Sequence, residues 1–196
     1  MITKTLKLAL IAVGFVVAHA AIISAQDKPI QFQPNPDSPI GERNETLLAD
    51  AVDFDFLIGD WDVVITWTPP NGAPPNTYKA KWHNHWTVNG TVVMQEWRGP
   101  YATGAEMRHY NGRTKSWSGR NIYQQGKWQR TTASTVGENL IVIIEDVKTQ
   151  KGEHDNRETY YDIEKDSFKM KSDLSFDDGK TWVTGRYSMT VTRANS

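Results

Sequence analysis

Between positions 60 and 192 the chain is a succession of short alternating runs, cut at regular intervals by Asn, Gly, Pro and Asp. The first run sets the pattern: Trp61, Val63, Ile65 and Trp67 fall on one face, and Asp62, Val64 and Thr66 on the other. A period of two in β-branched and aromatic residues is the mark of a half-buried strand. Comparable runs cover 78–88, 91–98, 105–110, 117–123, 128–135, 140–147, 157–163, 168–176 and 182–192. Asn89-Gly90 joins two of them, and Asn-Gly between such runs is the strongest short hairpin signal. Asn111-Gly112, Gln124-Gln125-Gly126 and Gly137-Glu138-Asn139 mark further turns, while Pro69-Pro70-Asn71-Gly72-Ala73-Pro74-Pro75 is a stiff loop that no central strand could cross.

About ten strands result, at the spacing of a sandwich or barrel. No segment after Asp50 has a helical period. Hairpin-length connections favour an up-and-down meander, and closing it removes both exposed edges. The expected fold is therefore all-β, a single up-and-down antiparallel β-barrel of about ten strands. Eight strands hold one small ligand, so ten leave room for a somewhat larger cavity.

The entry to the first strand is distinctive. Phe56-Leu57-Ile58 leads to Gly59, which suits a sharp entry because it tolerates positive φ. Trp61 follows as a large apolar plate whose indole N–H needs a partner. Gly-x-Trp at a first strand resembles the lipocalin and calycin barrels, where the tryptophan closes the barrel floor. The longer string Phe54-x-Phe56-Leu57-x-Gly59-x-Trp61-x-Val63 is similar to a family of uncharacterised secreted bacterial domains, lipocalin-like and without an assigned function. That resemblance extends through Gln95-Glu96-Trp97 and, more loosely, Glu106-Met107-Arg108-His109-Tyr110 and Trp117, touching most of 54–193. It implies a lipocalin-like barrel and export, and it assigns no catalytic role. The plainer reading of the string is a hydrophobic plug on any antiparallel sheet.

The first residues carry a different signal. Lys4 and Lys7 form a basic region, 8–17 an apolar one, and small residues follow at Ala18-His19-Ala20 and Ser24-Ala25. This is the layout of a cleavable secretory signal peptide, cut after Ala20 or, preferably, Ala25. The apolar run is shorter than the roughly 20 residues of a membrane span, so no stable membrane anchor is expected. The division is a signal peptide at 1–25, an extended arm with a short helix at 26–50, and the barrel at 51–196. Prolines fill 26–43, and Asn44 is placed to cap a short helix reaching Ala49. Cysteine is absent, which removes both disulfides and a lipid attachment point. The processed chain is expected to be periplasmic or secreted.

Loss of Lys4 and Lys7 moves the formal net charge from −1 to −3, and the basic residues never form a run. Nucleic acid is not an expected partner. The Gly-x-Ser-x-Gly elbow, the phosphate loop, the dinucleotide fingerprint and His-Glu-x-x-His are all missing. His83 and His85 share one face and could ligate a metal, but no carboxylate follows at cupin spacing, so no metal is expected. Some ten-stranded barrels of the nitrobindin type bind heme through a late histidine. Here the last histidine is His154, in a hydrophilic stretch at 151–155, and no cofactor is expected. Ser175-Phe176-Asp177-Asp178-Gly179-Lys180-Thr181-Trp182 matches the Asp-box of sialidase propellers; a single copy reads as a well-made turn.

Eight tryptophans remain to be explained. An aromatic-lined cup with a few polar anchors suits a small apolar or aromatic ligand. The candidate ligand-binding residues are Trp82, Trp86, Gln95, Glu96, Trp97, Arg108, Tyr110 and Trp117. Tryptophan also fills barrel floors without any ligand, and Gln95 or Glu96 with Arg108 could be an ordinary cross-strand pair. The expected function is ligand binding without catalysis. The alternatives are a small isomerase or hydrolase using Glu96, Arg108 and His109 in the lumen, or a module whose partner binds the outer wall.

Overall fold

The computed structural model describes residues 40–47, 51–123, 126–149 and 152–194. The expected signal peptide and most of the arm lie outside the described residues. A 3-10 turn (Asp55–Leu57) precedes ten strands: β1 (Gly59–Trp67), β2 (Asn76–Thr87), β3 (Val92–Arg98), β4 (Thr103–Asn111), β5 (Ser116–Tyr123), β6 (Gln129–Val136), β7 (Asn139–Thr149), β8 (Gly152–Tyr161), β9 (Ser167–Ser175) and β10 (Val183–Arg193). Each pairs antiparallel with its chain neighbours, and β1 also pairs with β10, so the sheet closes into a barrel. Strand alternation selects the interior: Trp61, Val63 and Ile65 of β1 are buried, while Val64 is exposed.

Cross-strand partners share a face, so inward residues form rows around the wall. One row passes from Arg193 through Trp61, Trp82, Trp97 and Gly104 to Tyr123. A second is polar: Asn84, Gln95, Glu106 and Asn121 stand side by side on β2 to β5. A third runs Tyr110, Trp117, Ala133, Val142, Glu158, Ser172, Tyr187 and Trp67. Because barrel strands are tilted, a row at constant register climbs from one end to the other. The third row begins at buried Tyr110 and Trp117 and ends at Trp67, 40% exposed.

The buried end is a plug of aromatic rings. Phe54 meets Trp117 edge-on at 5.0 Å, and Phe168 meets Trp61 at 5.0 Å and Phe56 at 5.1 Å. Both floor indoles find acceptors: Trp61 Nε1–H donates to the Leu57 carbonyl at 2.7 Å, and Trp117 Nε1–H to Asp53 Oδ2 at 2.9 Å. Thr135 also donates its hydroxyl to Asp53, which ties the plug to the wall. Arg193 lies 4.0 Å over the Trp61 ring and donates to the Ile58 carbonyl at 3.1 Å. Gly59 takes φ +125°, as its place at the strand entry predicts, and a Cβ there would stand 2.5 Å from the Arg193 guanidinium.

Several local expectations change. The turn between β2 and β3 is not the two-residue Asn-Gly hairpin but spans 88–91, with Val88, Asn89 and Gly90 all at positive φ. The chain at 40–44 packs against it: Asn44 N donates to the Gly90 carbonyl at 2.8 Å, and a Cβ on Gly90 would sit 2.2 Å from the Glu42 carbonyl oxygen. Where a helix from Asn44 is expected, Asn44 Oδ1 instead accepts from Thr46 N at 2.9 Å in a turn, and 48–50 lie outside the described residues. β8 begins at Gly152, so His154 is a buried strand residue stacked 5.4 Å from Phe176, not part of a loop. At the Asp-box turn Asp177 takes the Thr181 N–H and hydroxyl at 2.8 and 2.7 Å, and Trp182 covers Arg157 at 4.2 Å.

Candidate functional site

β1 begins at the plug with Gly59 and ends eight residues later with Trp67, at the border of a cavity of about 1030 Å³. The cavity occupies the end of the barrel away from the plug. Trp67 and Trp128 stand at its mouth, 40% and 54% exposed. Trp97, Tyr78, Tyr123 and Tyr187 form its walls with Ile144 and Met189, and Asn121, Glu158 and Ser172 border it from the middle of their strands. Gly104 makes room for Tyr123, its cross-strand partner: a Cβ there would lie 2.5 Å from Tyr123 Cδ1.

Next to these residues lies a buried ionic cluster. Arg108 is 1% exposed and Glu106 4%. Arg108 Nε–H donates to Glu106 Oε1 at 2.8 Å, and Nη2 stands 2.6 Å from Glu106 Oε2 without hydrogen-bond alignment. The guanidinium also lies 4.6 Å over the Phe54 ring, at the boundary with the plug. Gly119, its neighbour in register on β5, leaves space for the arginine stem: a Cβ there would approach Arg108 Cγ to 2.9 Å. Burial opposes the arginine's charge, but the Glu106, Tyr160 and Glu158 fields outweigh it, and Arg108 stays a cation.

Glu158 is the second carboxyl. Tyr160 donates its hydroxyl to Glu158 Oε2 at 3.0 Å. Glu158 borders the cavity yet is ringed by protein, and burial followed by repulsion from Glu106 raises its pKa to about 7, against the opposing pull of Arg108 and Tyr160. Burial first, then the nearby carboxylates, also raises the Tyr123 pKa, and burial with Tyr78 raises that of Tyr187. Both phenols are neutral donors at physiological pH.

Polar atoms without a protein partner concentrate here. Both amide atoms of Asn84 and of Asn121, Gln95 Nε2, Arg108 Nη1 and Thr131 Oγ1 are buried and lack one. Such groups are rare in folded proteins unless water or a ligand takes them. The arrangement is amphipathic, with aromatic walls and mouth over a base of amides, one ion pair and one further carboxyl.

Of the residues singled out from the sequence, Gln95 and Arg108 fall in this base and Trp97 in the wall. Trp86, Tyr110 and Trp117 pack in the plug end: Trp117 lies 5.5 Å from Tyr110 and 6.3 Å from Trp86. Trp82 is buried between Trp97 at 5.8 Å and Phe168 at 6.2 Å. Glu96 does not join them. Alternation with Gln95 turns it to the outer wall, where Arg98 donates to it at 2.8 Å. His109 is likewise outside, exposed and 3.2 Å from the Ser118 carbonyl, so the Glu96–Arg108–His109 triad does not assemble in the lumen. His83 and His85 are on the outer wall; their rings lie 5.1 Å apart, and His83 Nδ1 is 2.8 Å from Asp60 Oδ1. Among the described residues no three His, Cys, Asp or Glu side chains converge to hold a metal.

Sequence reasoning passes over Glu106, Asn121, Tyr123, Glu158 and Tyr187. Their signal is faint but present. Glu106 and Arg108, or Glu158 and Tyr160, are charged or polar residues two apart on the face that the rest of the strand gives to the interior.

The fold and cavity define a closed ten-stranded antiparallel barrel with an open, aromatic-walled lumen. No family model and no curated protein matches the sequence. Among solved structures the chain is similar to the crystal structure of Rv2717c from M. tuberculosis, with a TM-score of 0.53 and 11% identity, over 76% of this chain and 99% of that one. At that identity the likeness is one of fold.

Proposed function

We propose that this protein is an exported, lipocalin-like barrel that binds a small, mostly apolar molecule in its lumen without transforming it. The observation that carries the reading is the cavity of about 1030 Å³ walled by Trp97, Tyr78, Tyr123 and Tyr187. Its size and its few convergent polar groups are those of small-molecule sites. Export rests on the signal-like residues 1–25, and the lipocalin-like assignment on the Phe54-x-Phe56-Leu57-x-Gly59-x-Trp61-x-Val63 string. The test is native mass spectrometry of the processed protein purified from its own export compartment, followed by denaturing extraction. A stoichiometric co-purifying small molecule supports the binder. A protein that is empty and fails to take up any apolar probe overturns it.

One observation favours a second reading, catalysis. Glu158, titrating at about 7 at the edge of a cavity and beside a tyrosine hydroxyl, has the properties of a general base. Turnover lost in Glu158→Gln with binding retained would support that reading.

A further inference from the structure

One carboxyl of the lumen, Glu158, makes no ion pair with a side chain of the wall. Arg108 is the buried cation of the base, its Nε–H donating to Glu106 Oε1 at 2.8 Å and its Nη2 lying 2.6 Å from Oε2. Glu158 feels Arg108 only at a distance and makes no ion pair; its hydrogen bond comes from the neutral Tyr160 hydroxyl. The ion pair Arg157–Asp173, at 2.9 Å, sits on the other face of β8 and β9, where Asp173 Oδ2 takes the arginine and Oδ1 has no protein partner. Removing an unpaired carboxylate from water is unfavourable, so such a group either keeps its proton or acquires a positive partner.

The surroundings of Glu158 say which partner fits. Around the lumen, β4 presents Glu106 and Arg108, β5 Tyr123, β10 Tyr187, β2 Tyr78, and β8 itself Tyr160. The flanking strands β7 and β9 turn Val142, Ile144, Met170, Ser172 and Leu174 inward, none of them titratable. The mouth adds Arg120, Asp146, Lys127 and Arg186, with Arg120 and Arg186 donating to the Gly119 and Pro69 carbonyls, Arg130 paired to Glu145 at 3.6 Å and Lys148 to Glu153 at 3.1 Å. Asn121, which borders the cavity, has a buried carbonyl oxygen with no donor. Trp97, Tyr123 and Tyr187 supply aromatic surface to the same space, the setting in which organic cations are held.

We infer that the ligand is an aromatic or alicyclic ammonium, its hydrophobic body against the aromatic walls and its N–H groups on the Glu158 carboxylate and the Asn121 carbonyl. This rests on the lumen being a ligand site. The ammonium supplies the direct ion pair that Arg108, engaged with Glu106, does not make, and only the ionised form of Glu158 provides the attraction. Preference for the cation therefore grows as pH rises through neutrality.

The experiment uses three probes that share one ring system: 2-naphthylmethylammonium, neutral 2-naphthalenemethanol and anionic 2-naphthoate. Dissociation constants are measured calorimetrically on the processed protein at about pH 8 and about pH 5.5, where ordinary ammonium and carboxylate probes keep their charge. The ammonium is expected to bind about tenfold tighter than the alcohol at the higher pH, and within about twofold at the lower. Glu158→Gln is expected to lose the preference of ammonium over alcohol at the higher pH. Equal binding of ammonium and alcohol to wild-type protein at the higher pH, or tightest binding of naphthoate, overturns the inference while leaving the lumen a binding site. Binding of none of the three removes the ligand-site reading itself. The wild-type pH series decides the matter even if the variant fails to fold.

Discussion

Tyr160 and Glu158 lie two residues apart on β8, and the tyrosine hydroxyl donates to the glutamate Oε2 at 3.0 Å. Two apart on a strand means one face, so the pair spans the junction between the buried aromatic plug and the open cavity. Tyr160 is 1% exposed and stacks toward Phe168 at 6.0 Å, while Glu158 borders the lumen. A titratable group at this junction couples the stability of the barrel to pH.

The sign of that coupling follows from the direction of the shift. Glu158 has its pKa raised from 4.5 to about 7 on folding, by burial and then by Glu106. Below its ordinary value both folded and unfolded chains hold the proton, and the full stability is present. As pH rises toward 7 the unfolded chain releases its proton first, so stability falls, and it levels off above 7. The expected loss is on the order of 2 kcal/mol once lumen water is allowed for. Urea denaturation of wild type against Glu158→Gln, in steps from acid to neutral pH, should show the difference between the two curves shrinking or reversing by that amount. Parallel curves would refute it.

Tyr160→Phe isolates the hydroxyl. Its hydrogen bond stabilises the ionised carboxylate, so removing it moves the Glu158 titration further up. Carboxyl-carbon NMR of labelled glutamate reads this directly. An unchanged or lowered midpoint would mean that the hydroxyl does not serve Glu158.

A different kind of anchor holds the plug. Asp53 accepts from Trp117 Nε1 at 2.9 Å and from the Thr135 hydroxyl. Asp53→Ala leaves a buried indole N–H with no acceptor and should destabilise the barrel by about 1–3 kcal/mol. Asp53→Asn keeps an acceptor oxygen and should lose less. Because Trp117 belongs to the plug and not to the cavity wall, probe affinity should be unchanged in both variants at temperatures where they remain folded.

These contrasts explain how far the sequence could be read. The period-two runs and their turn residues specify ten strands and a closed meander, because alternation is a local property of each strand. The same alternation already puts Gln95 and Glu96 on opposite faces, but it does not say which face is inside. Here Gln95 packs in register with Asn84 and Glu106, and Glu96 goes out to Arg98. The tryptophans mislead for a related reason. A ring can serve plug or wall, and the decision depends on how far along a tilted row it falls: Trp117 lies in the plug, and Trp67, six strands further round, at the mouth. Glu158 is invisible because its partners, Glu106 and Arg108, are some fifty positions away and meet it only when the barrel closes. The four-residue turn at 88–91 is another non-local effect, produced by the segment at 40–44 lying against Gly90.

Gly119 links the plug-side cluster to the cavity chemistry. It stands between Arg108 and Thr131 in register, and a Cβ added there would lie 2.4 Å from the Met107 carbonyl oxygen and 2.9 Å from Arg108 Cγ. The carbonyl belongs to the strand ladder and cannot retreat without opening β4 from β5. Gly119→Ala should therefore destabilise the protein by about 1–3 kcal/mol, the range for overpacking a filled interior. It should also push the arginine stem aside. Arg108 opposes the rise in the Glu158 pKa, so displacing it moves the Glu158 midpoint upward, in the same direction as Tyr160→Phe but through the other partner. Denaturation and carboxyl NMR on the single and double variants separate the two routes. Additive shifts indicate independent partners acting on Glu158, whereas a double variant no different from Gly119→Ala would show that the tyrosine hydroxyl is held in place by the arginine cluster.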